Sequence, residues 1–543
     1  MVFARRSTTL LAAIIASCAM VLSLTACTSD NKTVVDGQTT VTSNSAGGVA
    51  VFTPSDGITL NQQVPLNKWA KLVPDLTKAL VDAGFKKGDI DHTTSDSLAK
   101  QSRAIQDFVV DHLSNNTTDD SGIAIAPDNM TLLVAPVVEA DASTRQYGDY
   151  ISQNLSTNDV TDEGATSDGE SSEDDSSKDD SSNTESDSTA SDEQAQAVDR
   201  LVSSLKLAKE SGMHVVLLGN SIEGYKPDAF VKFSDAQTIG KLQAEKMVSK
   251  LKLDKASKDN PKYIEVLLPY TAVDEKGNAN DSTFAQEAFR GIWQVLGSYY
   301  QKGVVESPSG TLDGKSTEND WQAVAYDAAK EGSTAKVLDK RLAKTDGQST
   351  LTRIDGIITM NDCIASEVVK ELDDLGYTGS AADINPQITI SGIVGNITGK
   401  KDLSRDAVPD PIKSPENDNA NDSSSSDDDA DEDTSASDKD RDSQWPLVTG
   451  YGAYVSNIPS IVNGKQWMTG MEDRQTIATD IAQACAKLNK DEALNSMPSI
   501  RNSEVGGVKK IPTISEPLLA VSASNLKSAL IDPGYISLAD AGL

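Results

Sequence analysis

The chain has 543 residues, more than one hydrophobic core usually serves, so we expect at least two folded lobes. Its formal net charge is −33, and because phosphate binding needs basic patches that the sequence lacks, a nucleic-acid partner is disfavoured. With only four cysteines and three histidines, the chain is not a disulfide scaffold and shows no metal site built from histidine and cysteine.

The N-terminus has the features of an export signal. Arg5 and Arg6 precede a short apolar run, and small residues lead to Cys27 in the sequence LTAC. This ending resembles the bacterial lipobox, which implies a lipoprotein signal peptide over 1–26 and lipid attachment at Cys27. An ordinary signal peptide and an uncleaved anchor are the alternatives, and the arginine pair leaves the Sec and twin-arginine routes both open. Residues 27–46 are polar and predict a flexible tether.

Two acidic tracts interrupt the chain, at about 155–196 and at about 412–443. Both are rich in serine and aspartate, hold almost no apolar residues and carry most of the net negative charge. They cannot bury enough surface to fold, so the sequence predicts disordered, solvated insertions. Calcium binding is disfavoured because the tracts lack the glycine turn and the glutamate spacing of an EF-hand loop.

Strands and helices alternate on both sides of the first acidic tract. The sequence predicts a strand in GGVAVFTPSDG, helices in NKWAKLVPDLTKALVDAGF and DSLAKQSRAIQDFVVDHL, and a strand in MTLLVAPVV. After the tract come a helix in AQAVDRLVSSLKLAKESG and a strand in HVVLLGNS.

The alternation continues towards the C-terminus. Helix DAQTIGKLQAEKMVSKL leads to strand YIEVLLPY, and helices follow in STFAQEAFRGIWQVLGSYYQKG and DWQAVAYDAAKEGSTAKVLDKRLA. Strand DGIITM with its helix, strands QITISGIVGN and PLVTGYGAYV, and helix RQTIATDIAQACAKLNK complete the pattern. This order predicts an α/β fold with parallel sheets covered by helices, in which ligands bind beyond the carboxyl ends of the strands.

Little in the sequence supports catalysis. His92, His112 and His214 are scattered, GNSIEG is not a nucleophile elbow, and no phosphate-binding loop is present. Gly450 and Gly452 alone are weak evidence for a dinucleotide site, so we expect neither an enzyme nor a cofactor. The strand ends instead carry amides, hydroxyls and carboxylates with tryptophan nearby, a combination that suits a neutral polyol such as a sugar.

Several segments, in their order along the chain, resemble the type I periplasmic sugar-binding proteins, in particular the xylose- and ribose-binding-like solute-binding lipoproteins of ABC transporters. NKW at 67–69 resembles the E-R-W of the xylose branch, and VKFSDAQTIGKLQAEKMV resembles a segment of the type F-D-N-x-x-V-G-x-L-Q-A. TMND resembles S-N-D, TGYGAYVSNIPSIVNGKQWMTG resembles S-G-Q-D-A-D followed by I-x-x-G-x-Q-x-M-T, and the C-terminal tail is similar as well.

The resemblance implies two Rossmann-like lobes joined by a three-crossing hinge, with the acidic tracts as insertions. It places lobe 1 at 47–234, lobe 2 at 235–451, a return to lobe 1 at 452–468, and lobe 2 with the C-terminal tail at 469–543. It also implies a monomeric, lipid-anchored protein on the outer face of the cell membrane. Such a protein closes its lobes on a small sugar-like molecule and delivers it to the transmembrane subunits of an ABC permease.

The ligand-binding residues expected from this resemblance lie at strand ends and near the first helix. They are Lys68, Trp69, Asn220, Ser221, Trp321, Asn361, Asp362 and Tyr451. Asn361 has the position at which the family contacts sugar hydroxyls, although Asn361 and Asp362 would equally serve as helix caps. Trp321 equally suits the core face of a helix.

The departures from the family fall on charged ligand-binding positions. The family's Y-D-R is here LGNS, and the aspartate of its G-Q-D is Gly452, so one cation and one anion are missing. Each charge-assisted hydrogen bond contributes about 1.5–3 kcal/mol, and we therefore expect no tight binding of xylose.

Two other functions fit the same sequence. A non-transport ligand-sensing or degenerate binding lipoprotein is favoured by the altered charged positions. A carbohydrate-active enzyme would need two carboxylates facing one substrate bond, and Asp362 has no clear partner in the sequence.

Overall fold

The computed structural model describes residues 34–35, 38–39, 46–56, 65–115, 125–138, 144–156, 184–273, 280–343, 351–381 and 445–543. The predicted signal peptide with Cys27, the predicted strand at 387–396 and most of both acidic tracts lie outside these ranges. The chain divides into two units, Met1–Ser45 and Ala46–Leu543. In the first unit, two short strands form an antiparallel hairpin.

The strands follow in chain order. They are β1 (Val34–Val35), β2 (Gln38–Thr39), β3 (Gly48–Pro54), β4 (Ile90–Ser95), β5 (Met130–Val134), β6 (Asn154–Leu155), β7 (His214–Leu218), β8 (Ser221–Ile222), β9 (Ala229–Lys232), β10 (Lys262–Val266), β11 (Leu268–Pro269), β12 (Val305–Glu306), β13 (Ala325–Tyr326), β14 (Gly356–Ile358), β15 (Leu447–Thr449), β16 (Met468–Met471), β17 (Ile500–Val505), β18 (Val508–Ser515) and β19 (Leu519–Ser522).

The α-helices alternate with these strands. They are α1 (Trp69–Asp82), α2 (Leu98–Asn115), α3 (Thr184–Glu210), α4 (Ala236–Leu251), α5 (Thr283–Gln301), α6 (Trp321–Val324), α7 (Ser333–Arg341), α8 (Asp362–Asp374), α9 (Ile458–Val462) and α10 (Arg474–Leu488).

The first lobe is a seven-stranded sheet in the order β17-β18-β9-β7-β5-β3-β4. All its neighbours pair in parallel except β17 and β18, which form an antiparallel hairpin. Helices cover both faces, because the central strands carry apolar residues on both sides. Val49 and Val51 of β3 pack with α1 and α10, whereas Ala50 and Phe52 pack with α2 and α3.

The second lobe is a parallel sheet in the order β12-β10-β14-β15. Its strands are short and buried, and β11 with β13 forms a further parallel pair that follows β10. One core lies between this sheet and helices α4 and α5, and another between the sheet and helices α7 and α8. The predicted α/β class with two parallel-sheet lobes is therefore confirmed.

The chain crosses between the lobes three times. The first crossing follows β9 at 233–235, the second joins β16 to α10 at 472–473, and the third joins β18 to β19 at 516–518. The strands β16 and β19, which flank two of these crossings, pair with each other in antiparallel fashion. The predicted three-crossing connection is confirmed.

The positions predicted for the second and third crossings are wrong. Residues 452–468 do not return to lobe 1, because the backbone of Trp467 and Gly470 bonds to the extension of β15 in lobe 2. Residues 474–515 do not belong to lobe 2, because α10 packs on α1 and β18 pairs with β9.

Three predictions of local structure also need correction. The helix predicted over 320–343 is broken by β13, and α6 and α7 flank the break. Strand β4 was not predicted, because its sequence IDHTTS lies at the sheet edge and is mostly exposed, with no apolar alternation. Helix α3 begins at Thr184, inside the range predicted as the first insertion.

A pair of glycines sets the distance between α4 and α5. A Cβ atom at Gly240 would lie 2.2 Å from the carbonyl oxygen of Ala288, and one at Gly291 would lie 2.0 Å from that of Gln237. Both atoms are backbone and cannot rotate away, so neither position accepts a side chain without separating the helices. Gly240 belongs to the segment that resembles the sugar-binding family, and its role here is helix packing.

We predict that Gly291→Ala destabilises the protein by about 1–3 kcal/mol through overpacking. At an open helical site the same change would stabilise by about 1 kcal/mol. Chemical denaturation measures the difference, with Gln294→Ala on the exposed face of α5 as the control. Stabilisation by Gly291→Ala would contradict the close helix contact.

Candidate functional site

The predicted site lies where the carboxyl ends of both sheets approach the crossings. In the second lobe, β14 ends at Ile358 and the chain turns into α8 through Met360, which has a positive φ of 68°. Asn361 then caps α8, because its Oδ1 accepts a hydrogen bond of 3.0 Å from the amide of Ile364. Asn361 is therefore the N-cap of α8, one of the two roles expected for it.

Asp362 directs both carboxylate oxygens into its own lobe. Its Oδ2 accepts from the Tyr454 amide and the Thr469 hydroxyl, both at 2.9 Å, and its Oδ1 accepts from Gln466 Nε2 at 2.7 Å. The side chain is completely buried, and burial raises its pKa to about 6. Asp362 thus organises the loop after β15, and among the described residues the hydrogen-bond partners of its carboxylate lie in the second lobe.

The side-chain nitrogen of Asn361, which takes no part in capping, forms a hydrogen bond to the first lobe. Its Nδ2 donates to Oε1 of Gln146 at 3.0 Å, and the Tyr454 hydroxyl donates to the carbonyl oxygen of the same glutamine at 2.6 Å. Gln146 belongs to the connection between β5 and β6 of the first lobe. Residues 144–154 of this connection are called the cleft segment below.

The same segment bonds to the first lobe through Asp149. Its carboxylate forms an ion pair of 2.7 Å with Lys68 Nζ and accepts from the Trp69 amide at the start of α1, at 3.1 Å. Asp56 lies beside it and accepts from the Ala70 amide at 3.2 Å. Burial and the hydrogen bond with Asp149 raise the pKa of Asp56 to about 6. Two of the predicted ligand-binding residues therefore hold a carboxylate of the chain itself.

Two tyrosines of the cleft segment are buried in different cores. Tyr147 packs in the second-lobe core, with its ring 4.6 Å from that of Phe284 and 6.2 Å from that of Tyr451. Tyr150 packs in the first-lobe core, where its ring lies 5.0 Å from Trp69 in edge geometry. The Tyr150 hydroxyl donates to the carbonyl oxygen of Lys68 at 2.5 Å.

Asn220 and Ser221 contact the end of the same segment. Asn220 accepts from the Gln153 amide at 2.9 Å, and Ser221 donates to Oδ1 of Asn154 at 2.8 Å. Strands β6 and β8 pair in parallel at this point. Six of the eight predicted residues, all except Trp321 and Asp362, are thus brought together around the cleft segment.

Trp321 lies apart from that group. It is nearly buried, packs in the second-lobe core and meets the ring of Tyr270 edge-on at 5.2 Å. Trp321 is therefore a core residue, one of the two roles expected for it.

The residues that sequence reasoning missed are those of the cleft segment itself. Its sequence is polar and has no helical or strand period, so no pattern marked it. One signal was available at Gly148, which has a φ of 100° and whose Cβ would lie 2.5 Å from the carbonyl oxygen of Asn67. A glycine between two tyrosines can mark such a close backbone approach.

A buried carboxyl group at the second crossing is hydrogen-bonded to the first crossing. Glu472, at the second crossing, accepts hydrogen bonds from the Ser234 amide at 2.7 Å and from the Ser234 hydroxyl. Ser234, at the first crossing, also bonds to the Tyr451 hydroxyl at 2.6 Å. Burial raises the pKa of Glu472 to about 7. The carboxyl group therefore connects two hinge strands and favours its protonated form.

We predict that this group makes stability fall with rising pH. Its pKa is raised from 4.5, so the native state binds the proton more tightly, and the contribution is lost between about pH 4.5 and pH 7. Glu472→Gln keeps an acceptor for Ser234 and removes the charge. We expect the variant to be more stable than wild type at pH 8, by on the order of 3 kcal/mol, and close to wild type at pH 4.5.

Urea unfolding at both pH values measures this difference. Glu210→Gln, at the exposed end of α3, controls for the loss of one negative charge. A constant difference between Glu472→Gln and wild type across the pH range would show that the buried carboxyl group does not titrate in this interval.

Among the residues that the structure describes, no group of histidine, cysteine, aspartate and glutamate could hold a metal ion. Within the described part of the chain, no helix combines the length and apolar character needed to cross a membrane. Cys363 lies in α8 and Cys485 in α10, and no disulfide joins them.

No family model and no curated protein matches the chain. Among solved structures it is similar to an ABC transporter solute-binding protein from Clostridium phytofermentans with bound β-D-glucose, at 16% identity and a TM-score of 0.44, over 91% of this chain and 99% of that chain. It is also similar to a carbohydrate transporter solute-binding protein from Chloroflexus aurantiacus in complex with D-glucose, at 18% identity and a TM-score of 0.42, over 92% and 98%.

A third similar structure is an arabinose-binding protein from Geobacillus stearothermophilus, at 9% identity and a TM-score of 0.42, over 89% of this chain and 99% of that chain. Identities and TM-scores this low do not transfer a ligand to this chain, whose site rests on its own geometry.

Proposed function

We propose that the protein is an extracytoplasmic, lipid-anchored solute-binding protein of an ABC transporter that captures a small polar ligand of the sugar class between its lobes. The observation that carries this proposal is the convergence of Lys68 and the α1 N-terminus from one lobe and Asn361 from the other on the same short segment. Any molecule in that position contacts both lobes, and only such differential binding drives hinge closure.

The chemistry around this position suits a neutral polyol. Amide groups form paired hydrogen bonds with hydroxyls, and the buried rings of Trp69 and Tyr451 line the same region, where they pack beside Tyr150 and Tyr147 of the cleft segment. Glycoside hydrolysis would need two carboxylates facing one bond, and both oxygens of Asp362 are engaged within its own lobe. Binding without catalysis is therefore the function we propose.

The alternative is a ligand-sensing or degenerate binding lipoprotein of the same fold that has no transport role. One observation favours it, since side chains of the chain itself already satisfy most of the polar groups expected to bind ligand. A protein that binds no small polar solute under any condition would support this alternative.

The proposal predicts ligand-dependent stability. The Cys27→Ser form of the full chain is screened by thermal unfolding against monosaccharides, small oligosaccharides, nucleosides and polyols. A ligand present at 100 times its dissociation constant is expected to stabilise the protein by about 2.7 kcal/mol. No response to any compound would count against transport of such solutes.

Variants at Asn361 then separate ligand binding from helix capping. Asn361→Ser retains a good cap without adding a buried charge but loses the amide donor, so we expect weak ligand binding with only a small loss of stability. Asn361→Ala loses both, and capping alone accounts for about 1 kcal/mol of its lower stability. Wild-type affinity in both variants, measured by calorimetry, would remove Asn361 from the site.

The lipid anchor is tested at Cys27. We expect the wild-type chain to incorporate labelled fatty acid and to sediment with membranes, because several acyl chains anchor a protein stably. Cys27→Ser is expected to lose the label and the sedimentation. Retained label in Cys27→Ser would place the lipid elsewhere, and Cys18→Ser, within the predicted signal peptide, is the matched control.

A further inference from the structure

We propose that the cleft segment, residues 144–154, is an internal occupant of the interlobe cleft that takes the place of a ligand and must leave before an external ligand binds. The inference rests on the proposed function for the identity of the site. Its own basis is the set of contacts that the segment makes with both lobes.

The polar contacts of the segment are those expected of a bound ligand. Gln146 accepts a hydrogen bond from the Asn361 amide of the second lobe. In the first lobe, Asp149 forms an ion pair with Lys68 and accepts a hydrogen bond from the first amide of α1. Lys68 and Asp149 are largely buried, with side-chain exposures of 15% and 19%. The Trp69 amide has a single hydrogen, so a solute that binds to it must displace Asp149.

The apolar contacts alternate between the lobes. Tyr147 and Ile151 pack in the second-lobe core, whereas Tyr150, between them, packs in the first-lobe core. Tyr147 and Tyr150 are each only 1% exposed, and a buried aromatic side chain removes about 150–250 Å² from water. The segment therefore fastens the two lobes to each other without any added molecule.

The close fit extends to the backbone. The Asp149 amide donates to the carbonyl oxygen of Asn67 at 2.8 Å, next to the Gly148 position where no side chain fits. The Tyr454 hydroxyl of the second lobe bonds to the backbone of Gln146. The backbone of the segment is thus bonded to the backbone of the first lobe at Asn67 and to a side chain of the second lobe, Tyr454.

An internal occupant has a quantitative consequence for ligand affinity. The apparent dissociation constant equals the intrinsic one divided by the fraction of molecules in which the segment has left the cleft. Weakening the contacts of the segment therefore raises that fraction and tightens ligand binding. An ordinary binding cleft would respond in the opposite way, because loss of lining residues weakens binding.

Tryptic cleavage after Arg145 reports departure of the segment directly. The double variant Gln146→Ala/Asp149→Asn removes the bond to Asn361 and the charge that pairs with Lys68, but leaves an acceptor for the Trp69 amide. We expect cleavage at Arg145, followed by mass spectrometry on the full Cys27→Ser chain without ligand, to be at least tenfold faster than in the parent. Gln294→Ala/Asp339→Asn, two exposed changes in the second lobe, is the matched control.

Equal cleavage rates at Arg145 in the variant and its parent would overturn the proposal. If the double variant does not fold, the cleavage rate after Arg145 in the parent protein tests the proposal instead. Cleavage after Arg145 as fast as in a synthetic peptide of residues 139–153 would overturn the proposal, and cleavage at least tenfold slower than in that peptide would support it. These outcomes need no ligand, so they stand apart from the test of the proposed function.

Once a ligand is found, it provides the second arm of the test. A ligand that displaces the segment accelerates cleavage after Arg145 and binds more tightly to the double variant than to the parent. A ligand that slows cleavage after Arg145 binds alongside the segment, and the proposed displacement is then wrong.

Discussion

The structure depends on two buried tyrosines that lie three residues apart and insert into different lobes. Tyr147 and Tyr150 belong to one short segment, so the backbone between them fixes the separation of the two cores. The ion pair of Asp149 with Lys68 and the bond between Gln146 and Asn361 complete this connection. In a two-lobe binding protein the ligand usually supplies such contacts, and here the chain itself supplies them.

The crossings add a second constraint on lobe movement. Glu472 and Ser234 lie at different crossings and share hydrogen bonds in a fully buried setting, which raises the pKa of the glutamate to about 7. A charge buried at this position costs stability unless its hydrogen bonds are kept. The hydrogen bonds between Glu472 and Ser234 at the crossings and the contacts of the cleft segment therefore join the lobes at two separate places.

The fold class could be predicted from the sequence because apolar strands and amphipathic helices alternate along the chain. The second and third crossings could not, because β18 pairs with β9 across more than 270 residues of sequence, and local pattern carries no record of such a partner. The ligand-binding residues stay a prediction. The structure places Asn361 at the junction of the lobes, whereas the hydrogen bonds of Asp362 turn its side chain into its own lobe. The cleft segment was missed because it is short and mostly polar, and its one signal, Gly148 between two tyrosines, does not identify the backbone that it approaches.

Hydrogen exchange of the ligand-free protein tests the central claim most directly, since the amides of Tyr147, Asp149 and Gln153 all donate hydrogen bonds within the cleft region. If the cleft segment is an internal occupant, these amides exchange at least about a hundredfold more slowly than in an unstructured peptide. Exchange at the rate of an unstructured peptide would show that the segment does not occupy the cleft in solution, and would contradict the account.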